Sequence, residues 1–193
     1  MSDALRVAFV TGTTPDKWAR AWRDQRRGRL ELVPVTEDDQ EPSLRRGEVD
    51  LAIVRLPVDT TDLHCVRLYD ELAVAVGGRD HLISAASEVT LDDLVDEQLV
   101  RPHASGWRPT VDQLDWPPMT EQEAIETVAA GTGIVLVPMS VARLYQRKDV
   151  VHRVVTDLPP TTIALVWLRD RDDEATQAFV GVVKGRTANT SRG

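Results

Sequence analysis

Apolar and polar positions along the chain alternate between strand-length runs and helical spacing. Leu5 to Val10 is an apolar run, followed by the turn Thr11-Gly12-Thr13-Thr14. Pro15 suits a first helical position with Thr14 as the expected N-cap. Trp18, Ala21, Trp22 and Gln25 then recur on one face until about Gly28. A second strand covers Leu30 to Val35, and Pro34 places it at an edge or an irregularity. A short helix over 42–46 closed by Gly47, then a strand over Asp50 to Val54, completes a strand–helix–strand–helix–strand rhythm. That rhythm is the mark of parallel pairing with right-handed crossovers.

The pattern then shifts. Leu63 to Tyr69 and Glu71 to Gly77 read as two adjacent strands, and Gly77-Gly78 as a break. A short helix over Thr90 to Leu94 with a Thr cap, a strand over Gln98 to Arg101, a loop over Pro102 to Trp107 and a weak helix over Thr110 to Leu114 follow. Thr120-Glu121-Gln122-Glu123 fits a capping box, and Ala124, Ile125, Val128 and Ala129 form the buried stripe of its helix. Gly131 suits the left-handed residue that ends it. Beyond it come a strand over Ile134 to Val137, a helix over Ser140 to Tyr145, a strand over Val150 to Val155 and a second break at Pro159-Pro160. Thr162 to Leu168 is a strong apolar strand, and a helix runs from about Asp172 to Val183 with its acids at the N-terminus. The expected division is one lobe from 1–77 with 160–186, a second lobe over 78–159, and a flexible tail over 187–193. A chain that crosses twice between lobes suits hinge closure on a ligand held between them.

Composition narrows the picture. With 193 residues, 42% of them hydrophobic, the chain has room for one ordinary domain or two small lobes. A net charge of −8 argues against this chain gripping DNA by itself. The run Arg23, Arg26, Arg27 and Arg29 reads as a solvated helix end. No apolar run approaches a membrane span and no signal peptide is visible, so a cytoplasmic location is expected. Cys65 is the single cysteine, which leaves no intrachain disulfide; its alternating surroundings make it a small buried residue. His64, His81, His103 and His152 lack ligand spacing, so neither a metal nor a cofactor is expected. No nucleophile elbow or P-loop is present, and Gly131-Thr132-Gly133 follows a helix instead of opening one, unlike a dinucleotide fingerprint. Trp18 and Trp22 suit the core or, for one of them, a dimer contact.

Three segments carry a family resemblance, the first being the opening strand, Thr-rich turn and capped helix over Leu5 to Trp22. Ser43-Leu44-Arg45-Arg46-Gly47-Glu48-Val49-Asp50-Leu51-Ala52-Ile53-Val54 resembles the short helix, glycine and Asp-Leu-Ala-Ile strand of LysR-type transcriptional regulators. Ala124 to Pro138, with Val128-Ala129-Ala130-Gly131-Thr132-Gly133-Ile134, resembles the same family's helix, glycine pair and strand. Order and spacing agree over about 4–183, including the opening strand, Thr-rich turn and helix. The resemblance is to the effector-binding half of such regulators. It implies a periplasmic-binding-protein-like α/β fold: two lobes, each a mixed, mostly parallel sheet flanked by helices, joined by two crossovers. The winged helix-turn-helix that reads DNA in a full regulator is not among these residues, and whether this is a stand-alone relative stays open.

Ligands of such sheets sit beyond the C-terminal strand ends, where helix N-termini point. The hydroxyls and amides of Thr11, Gly12, Thr13 and Thr14 suit an anion there, or serve capping alone. Arg55, ahead of Leu56, is placed to grip a carboxylate in a bidentate pair, or forms an ordinary surface ion pair. By the resemblance, His103, Ser105 and Trp107 face the same ligand from the second lobe, with Ser105 a polar anchor and Trp107 an apolar wall. Thr120 presents another helix N-terminus or simply caps it. The acidic turn Glu37 to Asp39 reads as solvated. The leading function is a non-enzymatic regulatory domain that binds a small-molecule effector, with a carboxylate as candidate. It would signal by lobe closure as a homodimer, or as a heterodimer with a full-length regulator, without membrane or direct DNA contact. The alternatives are an interaction protein that pairs with a complete regulator, and an enzyme on the same fold.

Overall fold

The computed structural model describes residues 4–25 and 27–185. The expected tail over 187–193 and Arg26 of the arginine run lie outside them. The chain divides into two compact units, 1–69 with 162–193, and 70–161.

The first unit is built on a five-stranded sheet. Its strands are β1 (Leu5–Val10), β2 (Leu30–Val35), β3 (Leu51–Arg55), β4 (Leu63–Glu71) and β9 (Thr161–Leu168), in the order β2-β1-β3-β9-β4. β1 pairs parallel with β2 and β3, and β3 pairs antiparallel with β9. Pro34 therefore sits on an edge strand, where a missing N–H is tolerated. Alternation along the strands sorts two cores. Leu51, Ile53, Ile163, Leu165 and Trp167 face α1 (Asp16–Asp24) and α5 (Glu174–Val183), while Ala52, Val54, Ala164 and Val166 face Leu44 of α2 (Pro42–Arg45). Both Trp18 and Trp22 belong to the first core, and the Trp22 and Phe179 rings lie 5.8 Å apart. The tryptophans are thus packing residues, with the Trp22 indole N–H donating to Gly28 O at 3.0 Å.

Thr14 is not the N-cap of α1, because Pro15 occupies that position and no side chain caps the helix. Cys65 is exposed, not buried. On edge strand β4, Val66 and Leu68 pack on the core, so the opposite phase carries Cys65 outward with Arg67. Partial burial still pushes its thiol pKa up, against the opposing pull of Arg67.

The second unit holds a four-stranded sheet of β5 (Ala73–Gly78), β6 (Glu88–Val89), β7 (Ile134–Pro138) and β8 (Val150–Val155), in the order β6-β8-β5-β7. The sheet is mixed, but its balance differs from the expected parallel majority. Of its described strand pairs only β6–β8 is parallel, while β5 pairs antiparallel with β7 and with β8. Ala73 and Ala75 face one core with Ile134 and Leu136. Val74 and Val76 face the other, with α3 (Glu121–Ala129) and α4 (Met139–Leu144).

Gly77-Gly78 is not a break. Both residues are paired inside β5, and the first crossing falls earlier, after Tyr69. Their small size serves close packing: a Cβ on Gly77 would meet the His81 ring at 3.1 Å, and one on Gly78 the carbonyl of Val128 at 3.0 Å. The second crossing falls at Thr161–Thr162, just past Pro159-Pro160.

The glycine pair after α3 has separate reasons. Gly131 ends the helix at φ +93°, and Gly133 turns the chain at φ +63° with its Cα pressed against Gln98. A Cβ on Gly133 would lie 2.2 Å from Gln98 O, the acceptor of the Ile134 N–H.

The expected strand at Gln98 to Arg101 shrinks to a single bridge between Leu99 and Ile134, and the expected helix at Thr110 to Leu114 is absent. Side-chain amides take over the backbone bonding. Gln98 donates to Asp112 O and accepts from Leu114 N, while Gln113 donates to Glu97 O and accepts from Leu99 N. Two glutamines thereby clip 111–114 alongside 97–99 in an irregular path, which helical geometry would not permit. No helix among the described residues is long and apolar enough to cross a membrane.

Candidate functional site

The first unit gathers the candidates that follow β1 and β3. Thr11 continues the β1–β2 ladder, its N–H donating to Val35 O at 3.2 Å. Gly12 adopts φ +92°, a conformation that suits glycine and turns the chain back on itself. The N–H and hydroxyl of Thr13 both donate to Val10 O, at 3.1 and 2.7 Å, and the residue is buried. Thr13 is therefore occupied in closing the turn. Thr14 is exposed beside the start of α1. It lines, with Asp16, Lys17, Trp18, Arg20 and Tyr69, a surface pocket of about 560 Å³. The N–H groups of Thr14, Asp16 and Lys17 have no backbone acceptor among the described residues, as expected of a helix N-terminus without a side-chain cap. They suit an acceptor oxygen, although the Asp16 carboxylate shares that helix end.

Arg55 has a different environment from the one expected. It is 5% exposed and inward-facing, the last residue of a fully buried strand. One guanidinium nitrogen meets the Glu37 carboxylate at 2.5 Å, and another donates to Thr11 O at 3.1 Å. The Gln40 side chain clasps the Arg55 backbone from both sides, accepting from its N–H at 2.7 Å and donating to its carbonyl at 3.0 Å. The charge of Arg55 is thus matched internally. Its geometry ties the end of β1, the β2–α2 connection and the end of β3 into one block. Glu37, expected to be solvated, is the acid that does this, and Asp39 of the same turn pairs with Arg46 at 2.8 Å. Leu56 donates its N–H to Thr162 O at 2.9 Å and packs on the α2 side of the sheet, ahead of a cis peptide to Pro57.

In the second unit, His103, Ser105 and Trp107 form one tight turn about Gly106, whose φ is +75°. The Ser105 hydroxyl lies 2.8 Å from His103 Nδ1 and accepts the Trp107 N–H at 3.2 Å. Since His103 Nδ1 also accepts the Ser105 N–H, the hydroxyl donates to it and the ring proton sits on Nε2. Ser105 therefore shapes the turn, and Trp107 is carried onto the apolar core beneath. Thr120 forms a complete capping box with Glu123. Its N–H and hydroxyl together hold the Glu123 carboxyl below the usual carboxylate range. Among the described residues, no group of three or more His, Cys, Asp or Glu side chains could hold a metal.

The structure thus brings Thr11 and Arg55 together, and His103, Ser105 and Trp107 together. The reading of the sequence missed Glu37 and Gln40, whose only signal was that a polar pair lay within reach of a strand end.

Comparison with known proteins agrees with this architecture. The family described as LysR substrate binding domain matches residues 4–188. The Hca operon transcriptional activator HcaR of Escherichia coli is 25% identical over 175 residues, which cover 84% of this chain and 59% of HcaR. The HTH-type transcriptional regulator AlsR of Bacillus subtilis is 27% identical over 167 residues, covering 77% of this chain and 55% of AlsR. The chain thus spans a little over half the length of these curated relatives. Among solved structures, the BenM effector binding domain with its effector benzoate superposes with a TM-score of 0.76 at 21% identity, covering 97% of this chain and 93% of that one. A Corynebacterium glutamicum OxyR mutant gives a TM-score of 0.73 at 20% identity, covering 95% of this chain and 64% of that one. These structures share the fold, and the match over nearly the whole sequence decides the family: the chain belongs to the LysR substrate binding domain family.

Proposed function

We propose that the chain binds a small-molecule effector and passes the event on by closure of its units and rearrangement of a dimer, in the service of LysR-type transcriptional regulation. The family match over residues 4–188 carries this reading. The curated relatives are transcriptional regulators, which favours a sensor over the enzyme alternative. BenM, of the same fold, takes benzoate as its effector, and a small carboxylate is the class we carry over.

In the first unit the free amides beside Thr14 and the Thr14 hydroxyl serve as the anion contacts. Arg55 acts as a positioning residue that holds the Thr11 turn through its carbonyl, since its charge is already met by Glu37. Ser105 and Thr120 hold the backbone shape of the second unit's contribution.

The test is a thermal-shift screen of small carboxylates, amino acids and aromatic acids, with sedimentation velocity on any hit. A ligand at a hundred times its Kd adds about 2.7 kcal/mol to stability. For a chain of this size that is a rise in Tm of roughly 5–10 °C. Thr14→Val is expected to reduce the rise. If no compound raises Tm, the sensing function falls; if one does and Thr14→Val binds it unchanged, the placement at Thr14 falls.

A further inference from the structure

The turn after β5 holds a histidine in two bonds at once. His81 stands at the N-cap of the 3₁₀ turn Leu82–Ala85, and its Nδ1 accepts the Ile83 N–H at 3.3 Å. Its Nε2 lies 3.0 Å from a carboxylate oxygen of Glu97. A ring nitrogen that accepts carries no proton, so the hydrogen sits on Nε2 and is donated to Glu97. The ring rests on Gly77, whose missing side chain leaves it room. Ile83, the residue that His81 caps, is buried in the core with Ala75 and Leu136. At the other end of the turn the Arg153 guanidinium donates to Ser84 O and Ala86 O. The turn is thus clamped at one end by a fixed charge and at the other by a titratable ring.

A proton added to Nδ1 makes this acceptor a donor, set against the Ile83 N–H. The cap bond is lost, while the bond to Glu97 becomes an ion pair. The two side chains are 13% and 21% exposed, so solvent screens that pair little. Arg79 and Asp80 precede His81 in the chain, and Arg147, Lys148 and Asp149 line the same cavity of about 940 Å³, where Arg147 and Asp149 pair with each other at 2.8 Å. The end of α3 brings only Ala129, Ala130 and Gly131 to it. β8 turns Arg153 to the His81 face of the sheet and His152 to the opposite one. Glu97 is therefore the acid bonded to the ring. We propose that His81 is a proton-operated latch: neutral, it holds the Leu82–Ala85 turn in place; protonated, it keeps Glu97 and lets the turn go. That turn carries the exposed Leu82 and walls the cavity, so the proton sets the shape of this surface. The latch does not rest on effector binding.

The test follows the whole chain by NMR from pH 8 to pH 5. Long-range ¹H–¹⁵N correlation of the imidazoles reads the protonation of His81 Nδ1. Amide hydrogen exchange, corrected for its intrinsic pH dependence, reads the cap. The Ile83 N–H is expected to exchange roughly fivefold faster once Nδ1 is protonated, the worth of one N-cap, while the amides of β5 stay protected. His81→Asn supplies a cap that does not titrate and should hold Ile83 alike at both ends of the range. Glu97→Gln keeps an acceptor for Nε2 and removes the charge that favours the imidazolium, so the change at Ile83 should move to lower pH. The proposal is overturned if Nδ1 is protonated at pH 8, if it stays unprotonated at pH 5, or if Ile83 keeps its protection when Nδ1 takes up its proton. It falls equally if His81→Asn follows the wild-type dependence on pH, or if Glu97→Gln leaves the transition where it was.

Discussion

The Arg55–Glu37 pair makes the assignment of Arg55 measurable. Consider Glu37→Gln, Arg55→Met and the double variant. Two unit charges about 4 Å apart at an effective dielectric near 20 attract by about 4 kcal/mol before desolvation is counted. Arg55 is 5% exposed, but the Glu37 side chain keeps 33% of its exposure, so solvent screens the pair and carries part of the acid's solvation. A coupling of about 2 kcal/mol is then expected, above the ~0–1 kcal/mol of surface pairs and below the 3–5 kcal/mol lost on breaking a fully buried one. Glu37→Gln should lower Tm by roughly 4–8 °C, at about 2–4 °C per kcal/mol for a chain of this size. Urea unfolding of the four proteins gives the coupling as a double-mutant cycle, and repetition in 1 M NaCl asks how far salt reaches the pair. A coupling under about 0.3 kcal/mol, or one abolished by salt, refutes the internal pairing. The same variant separates the roles. If Arg55 is a positioning residue, Glu37→Gln leaves an anionic effector's affinity unchanged or weaker. If Arg55 is the grip, removing its competitor tightens binding, and that result would restore the carboxylate clamp read from the sequence.

The two glycines after α3 should respond unequally. Gly131→Ala meets no atom within 4 Å and costs only the strain of its positive φ, about 1 kcal/mol. Gly133→Ala drives a Cβ into Gln98 O and should remove several times that stability, seen as faster hydrogen exchange at Ile134 and Val100; equal losses would discard the close-approach explanation. Thr120→Ala should cost about 1 kcal/mol in urea unfolding as a lost N-cap, whereas Thr120→Ser should restore most of it. His152 is held below its ordinary pKa of 6.5, first by burial and then by Arg153 and Arg143. A depressed folded pKa gives stability that is full above 6.5 and is lost as pH falls toward the folded value, because the unfolded chain takes the proton first. His152→Gln should flatten Tm between pH 7 and pH 5; an unchanged slope would remove His152 as its cause.

The fold was readable wherever pattern and burial agree. β1 and β3 are short apolar runs buried on both faces, and the Thr120–Glu123 box is a reciprocal bond that its spacing alone specifies. Reading failed where a second body decides the outcome. Gly77-Gly78 looks like a break because glycine usually marks one; inside β5 the same lack of a side chain admits the His81 ring and the Val128 carbonyl. Cys65 alternates as expected, but the phase of an edge strand depends on which set reaches the core, and Val66 and Leu68 do. The missing helix at 110–114 was lost to Gln98 and Gln113, whose amides substitute for backbone partners across a separation no local pattern records.

The site shows the same limit more sharply. Residue type marked Arg55 as a carboxylate donor at the end of the third strand; the structure shows that strand to be buried and the guanidinium against Glu37 of the chain itself. Those two facts together already demand a counter-charge, since a guanidinium is not left unpaired at 5% exposure. The choice lies between an acid of the chain and an acid of a ligand. Sequence gives no distance from Arg55 to an acidic turn eighteen positions earlier; the β1–β2 and β1–β3 registers do, by setting the ends of β2 and β3 on either side of the same strand. With Glu37 there, a carboxylate of the chain already offsets the charge that an anionic effector near Arg55 would use. The uncapped N-terminus of α1 beside Thr14 provides neutral donors on the segment that Arg55 holds in place through Thr11. On the function proposed above, the arginine would shape the anion site without lending it a charge, so substitutions at Arg55 should disturb binding and stability together, while those at Thr14 disturb binding alone.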